Sequence, residues 1–222
     1  MPDAAATALE PTDRTTLRRK RDRGSHDREV IDAILDEALV AHVGFAAPHG
    51  PVVLPMAHVR IGDDLYLHGA AGNDLLRNLA AGADACVTVT LLDGLVFARS
   101  AFHHAVNYRC VVLLGQATRV TDATEMRTAS AGLLDHLAPG RSLDARPPTD
   151  DELRATLFVR FPILEGSAKV RSGGPSEEPA DLDLPVWAGE VPLRLVADDE
   201  RPHSPDGTPP PTPTYITNHA LR

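Results

Sequence analysis

Aromatic side chains make up only 4 % of the 222 residues, a scarcity that removes the stacking platforms on which single-stranded nucleic acid is held. Positive charge is short as well. With 22 Lys and Arg against 31 Asp and Glu, the formal charge is −9, which argues against a phosphate backbone as partner. Cysteine is limited to Cys86 and Cys110, each inside an apolar run and without metal-type spacing; they read as reduced core thiols, which goes with a cytoplasmic protein. No apolar stretch opens the chain, where Asp3, Glu10 and Asp13 stand, so no signal peptide is expected. Residues 38–59 carry no formal charge, but Pro48, Pro51, Pro55 and three histidines exclude a membrane helix there.

What is present fits one domain of this length. Hydrophobic residues reach 43 %, so the core is expected to be aliphatic. Residues 1–24 hold a basic run, Arg18, Arg19, Lys20, Arg21 and Arg23, interrupted by Asp22 and followed by Asp27 and Glu29; this reads as a flexible, solvated arm rather than a nucleic-acid contact. Ser25 then offers a cap, and Val30, Ile31, Ile34, Leu35, Ala38 and Leu39 recur at helical spacing. Apolar runs at 40–47, 52–60 and 64–68, separated by turn residues, predict an antiparallel meander. A short helix over 73–81, a strand over 85–92, a turn at Asp93-Gly94, a strand over 109–120 and a helix to Leu137 follow. Thr149 and Glu152 form a capping-box pattern, and 157–164 and 167–170 are further strands. From residue 197 the chain reads as a disordered tail, with six prolines between Pro202 and Pro213.

The stretch that says most is 95–115, LVFARSAFHHAVNYRCVVLLG. Its ends are strand-like and apolar, yet His103, His104, Asn107, Tyr108 and Arg109 crowd its middle. A middle so polar reads as a site. Together with 25–45, 64–69, SAKVRSG at 167–173 and LPVWAG at 184–189, it resembles the pyridoxamine 5'-phosphate oxidase-like flavoproteins. The likeness is to their flavin-nucleotide-binding, nitroimidazole-resistance-like branch, distinct from the biosynthetic enzymes.

That resemblance implies a mainly β fold, a six- to seven-stranded antiparallel split β-barrel with peripheral helices, over residues 25–196. It further implies a homodimer with FMN at the subunit interface, and oxidoreductase activity on a small molecule with an NAD(P)H or deazaflavin donor. Neither a nucleic acid nor a membrane is expected as partner. Haem is the alternative cofactor, and a non-catalytic binding protein or a dimeric scaffold with an eroded site are the alternative functions.

On the resemblance, the FMN phosphate lies at HGAAGNDLLRNL, residues 68–79, which brings in His68, Gly69, Gly72, Asn73 and Arg77. Here the chain departs from its relatives: Asn73 and Asp74 stand where a basic pair is common. Asn107 and Arg109 are candidates for the flavin ring or the phosphate, Arg109 alternatively for an interface ion pair. Lys169 and Arg171 alternate along a strand and so form a two-cation patch, either lining the anion or facing solvent. Trp187 resembles the tryptophan that relatives bring to the flavin, and is otherwise core. No catalytic base is assigned. Adjacent His103 and His104 point to opposite faces of a strand, so no metal site is expected.

Overall fold

The computed structural model describes residues 7–205 and 207–217; the arm and tail expectations for 1–6, 206 and 218–222 lie outside these. In chain order the elements are β1 (Gly24–Ser25), α1 (Arg28–Glu37), β2 (Val40–Ala47), β3 (Gly50–Ile61), β4 (Asp64–Ala70), α2 (Asp74–Ala80), β5 (Asp84–Phe97) and β6 (Ala105–Gln116). There follow β7 (Thr118–Arg119), α3 (Ala123–Leu137), α4 (Arg141–Asp144), α5 (Asp150–Ala155), β8 (Thr156–Pro162), β9 (Gly166–Arg171), β10 (Gly189–Pro192) and α6 (Thr214–Thr217).

Side chains fix where the helices begin. Asp27 caps α1 by accepting from the Glu29 amide, Asn73 caps α2 from Leu76, Asp122 caps α3 from Glu125, and Thr149 with Glu152 forms a reciprocal capping box on α5. Ser25, the expected cap of α1, instead accepts from the Asp27 amide at 3.1 Å just ahead of the helix.

All strand pairs are antiparallel, in the order β1-β9-β6-β5-β2-β3-β4-β8-β7, with β10 added to β5. β8 and β9 lie toward opposite ends of this path, yet only residues 163–165 connect them. The sheet must therefore curl until its ends meet, which makes it a split barrel. Seven strands have six or more residues, in line with the fold expected. Ile31, Leu35, Leu65, Leu67, Val89, Val111 and Phe161 fill the interior, and a second apolar layer of Val59, Tyr66, Ala129, Leu133 and Phe158 seats α3 outside.

Two expectations are corrected. Asp93-Gly94 is not a turn: β5 runs through it with a bulge where the pairing with β6 shifts between Leu92 and Gly94. Ladders to β6 and β10 on its two sides keep the strand extended, and the chain reverses later, at 98–104. Residues 7–24 are likewise not a loose arm. Leu9 joins the barrel core, Ala8 bridges Asp27, Thr15 is buried, and Arg14 and Thr12 both bind Glu165. The buried Leu9 and Thr15, the bridge to Asp27 and the contacts to Glu165 together hold a segment whose composition is otherwise polar. In the tail, Tyr215 donates to Asp144 at 2.6 Å and accepts from Arg141.

Two histidines complete the C-terminal end of α1, where its last carbonyls lack helical partners and no Lys or Arg stands in the last turn. His58, fully buried, donates Nε2–H to the Leu35 carbonyl at 3.0 Å, and His136 on α3 donates to the Ala38 carbonyl at 2.8 Å. Burial pushes the His58 pKa down to about 4. In the unfolded chain His58 binds a proton near its usual 6.5, so stability is fully present above that pH and is lost as pH falls from about 6.5 through 4. The loss approaches about 3 kcal/mol. Urea midpoints of the parent should fall between pH 7 and 4.5, and His58→Gln should flatten this part of the profile.

Candidate functional site

β4 delivers its residues to two sides. Leu65 and Leu67 enter the barrel, while Tyr66 belongs to the layer beneath α3. His68, in register with Phe158 of β8, stacks on that ring with centroids 5.5 Å apart and planes 23° apart. Its Nδ1 is buried without a hydrogen-bond partner, and burial lowers its pKa, so the ring is neutral near pH 7. At Gly69 a β-carbon would stand 2.9 Å from Leu76 Cδ1, so a larger residue there would require the Leu76 side chain to shift. Gly72 faces open space. The Asn73 side chain is occupied as the cap of α2, while Asp74 and Arg77 are exposed.

β6 supplies Asn107 and Arg109, and both are engaged within the chain. Arg109 grips Glu37 through both terminal nitrogens and Asp93 through Nε at 3.0 Å and Nη2 at 2.8 Å. These hydrogen bonds, to Glu37 first and Asp93 second, raise its already high pKa. Buried Asn107 accepts from Arg171 Nη1 and donates to Glu190 Oε2 at 2.8 Å. Arg171, itself buried, also donates to the Gly173 carbonyl at 3.1 Å and the Gly174 carbonyl at 3.3 Å. Arg109 therefore forms its ion pairs within one chain, where an interface pair was the alternative expected, and Asn107–Arg171–Glu190 clamps the segment carrying β10 to the barrel end.

Lys169 and Arg171 do not form one patch. Arg171 turns in to Asn107, whereas Lys169 lines a cleft under the N-terminal segment with Arg14, Thr16, Cys110 and Ser167. Trp187 is not core: it is 65 % exposed, 6.0 Å from the Phe97 ring, and lies so close to Gly189 that a β-carbon there would come within 2.9 Å of it. His103 faces Glu178 at 3.4 Å, and His104 binds the Ser100 carbonyl at 3.0 Å. Among the described residues no group of His, Cys, Asp and Glu is arranged to hold a metal ion by itself. No helix of the described residues is long and apolar enough to cross a membrane.

Sequence reasoning missed Glu37, Asp93 and Glu190, the acids that take up these cations. Asp93 was within reach, since β5 and β6 pair as neighbours; Glu37 and Glu190 come from elements remote in the chain and leave no local signal.

The sequence profile of the pyridoxamine 5'-phosphate oxidase family matches residues 27–170. The chain belongs to this family. Among solved structures of the family's fold, it is similar to the flavocytochrome Anf3 from Azotobacter vinelandii, at 37 % identity over 95 % of this chain and 98 % of that one, with a TM-score of 0.87. It is also similar to an FAD and haem binding protein from Mycobacterium smegmatis, at 35 % identity over 90 % and 99 %, with a TM-score of 0.84. A protein assigned to 5-nitroimidazole antibiotic resistance from Bacteroides thetaiotaomicron shares the fold at 22 % identity, over 66 % and 86 %, with a TM-score of 0.55. No curated protein matches the sequence.

Because Arg171 relies on Asn107, Asn107→Ala should destabilise the protein by about 1–3 kcal/mol, leaving a buried guanidinium short of a partner. Lys169→Met should stay within about 0.5 kcal/mol. Chemical denaturation of the two variants checks the contrast.

Proposed function

We propose that this family member is a two-cofactor redox protein that holds a flavin and a haem and exchanges electrons with a small-molecule partner, such as a nicotinamide or deazaflavin nucleotide. The observation that carries the proposal is the likeness, over nearly the whole of both chains, to a flavocytochrome and to an FAD and haem binding protein. When bound, a flavin supplies hydride chemistry and a haem one-electron chemistry; the protein supplies binding and orientation.

The residues present fit these groups unequally. For a flavin ring, the exposed Trp187 indole beside Phe97 provides an aromatic wall. For the FMN phosphate, expected at 68–79, the fit is poor. Asp74 stands exposed in the first turn of α2, and each close like-charge pair adds about 1 kcal/mol even in water. Arg109 and Arg171 are already paired within the chain. FAD is the flavin proposed, in place of the FMN expected from sequence, on the likeness to an FAD and haem binding protein. For haem, the neutral imidazole of His68 fits as a donor.

A homodimer is part of the same reading. Phe102 at 89 %, Trp187 at 65 % and Val53 at 60 % exposure, with Leu54 and Leu92, are the apolar side chains offered for burial against a second copy.

Incubation with FAD, FMN or haemin, followed by gel filtration with absorbance detection, tests the proposal. FAD and a Soret band should co-elute with a dimer, and FMN should be held at least about tenfold more weakly than FAD. A colourless dimer under all three conditions would return the chain to a scaffold without a cofactor.

A further inference from the structure

We propose that His68 is an axial ligand of the haem iron. The inference rests on the two-cofactor reading above and names the residue through which this chain takes the haem.

An iron-ligating histidine needs a neutral ring, a nitrogen not engaged by protein, and packing that fixes its plane. Most described histidines fail one of these. His58 and His136 are bonded to the carbonyls at the end of α1, His104 to the Ser100 carbonyl, and His26 approaches Thr15 Oγ1 at 3.3 Å. His103 faces a carboxylate. His42, His49 and His203 are exposed, with nothing to hold their rings.

His68 meets all three conditions. Its plane is set by Phe158, it is half-buried, and Nδ1 is enclosed without a partner. Nδ1 is enclosed, whereas Nε2 makes no hydrogen bond among the described residues and is not one of their enclosed atoms, so Nε2 is the nitrogen left to a ligand.

The neighbouring chain suits a large planar group. Directly after His68 come Gly69, Ala70, Ala71 and Gly72, the last three exposed, and a side chain at Gly72 would meet nothing. Beyond them, exposed Arg77 offers a cation to a propionate.

The test loads the full chain and its His68→Ala and His42→Ala variants with haemin and FAD, and records Soret and visible bands and retained flavin. His68→Ala should shift the Soret band and weaken haem retention at least tenfold while keeping its FAD and its circular dichroism, and added imidazole should restore the parent spectrum. His42→Ala should match the parent. An unchanged Soret band and haem affinity in His68→Ala would overturn the assignment and leave the two-cofactor reading standing. A parent that takes up FAD but no haem would overturn both. Asp74→Arg adds a second check: tighter flavin binding would mean that the turn holds a phosphate, against the proposal, whereas unchanged flavin binding agrees with it.

Discussion

Everything in this molecule depends on the closure of one antiparallel sheet. β8 and β9 belong to distant parts of the strand order but are tied by residues 163–165, so the sheet has no flat solution. The seam is filled by Phe161, fully buried, whose ring lies where a β-carbon at Gly115 on β6 would touch it, at 3.5 Å. Once the barrel is shut, the end of β4 with His68 and the bulged end of β5 and β6 with Asn107 and Arg109 have fixed places. The chemistry then rides on strand ends held by a rigid core, as site precision requires.

Charge within the barrel end is balanced internally. Three acids, Glu37, Asp93 and Glu190, meet Arg109 and the Asn107–Arg171 pair; the Glu37 and Glu190 links join elements far apart in sequence, the Asp93 link the neighbouring strands β5 and β6. These links position α1, the β5 bulge and the segment bearing β10 around β6. The same pairing takes up Arg109 and Arg171, while His68 remains without a bond and Trp187 without cover. His68 thus offers a neutral nitrogen donor, and Trp187 with Phe97 an aromatic wall.

Much of this was legible from the chain. Helix α1 announced itself through Ile31, Ile34 and Leu35 at helical spacing, α5 through Thr149 and Glu152, and the family through blocks in the right order. Local chemistry determines such features, so local reading finds them. Asp93-Gly94 misled because a dipeptide that favours turns also tolerates a bulge, and only pairing on both sides decides between them. Leu9 was passed over because a single buried residue leaves no periodicity. Arg109 looked like a ligand-binding cation because nothing near it in sequence discloses Glu37, which lies on α1 across the fold. His68, by contrast, was among the residues that the resemblance brought to the site, and the structure adds that its Nδ1 has no partner.

The central claim, that one chain carries two redox groups, is tested most directly by anaerobic reductive titration of the purified, fully loaded protein, counting electrons against absorbance. The account predicts uptake of about three electrons per chain, two into the flavin bands and one into the haem bands. Uptake of only about two, with no change in the Soret region, would contradict it.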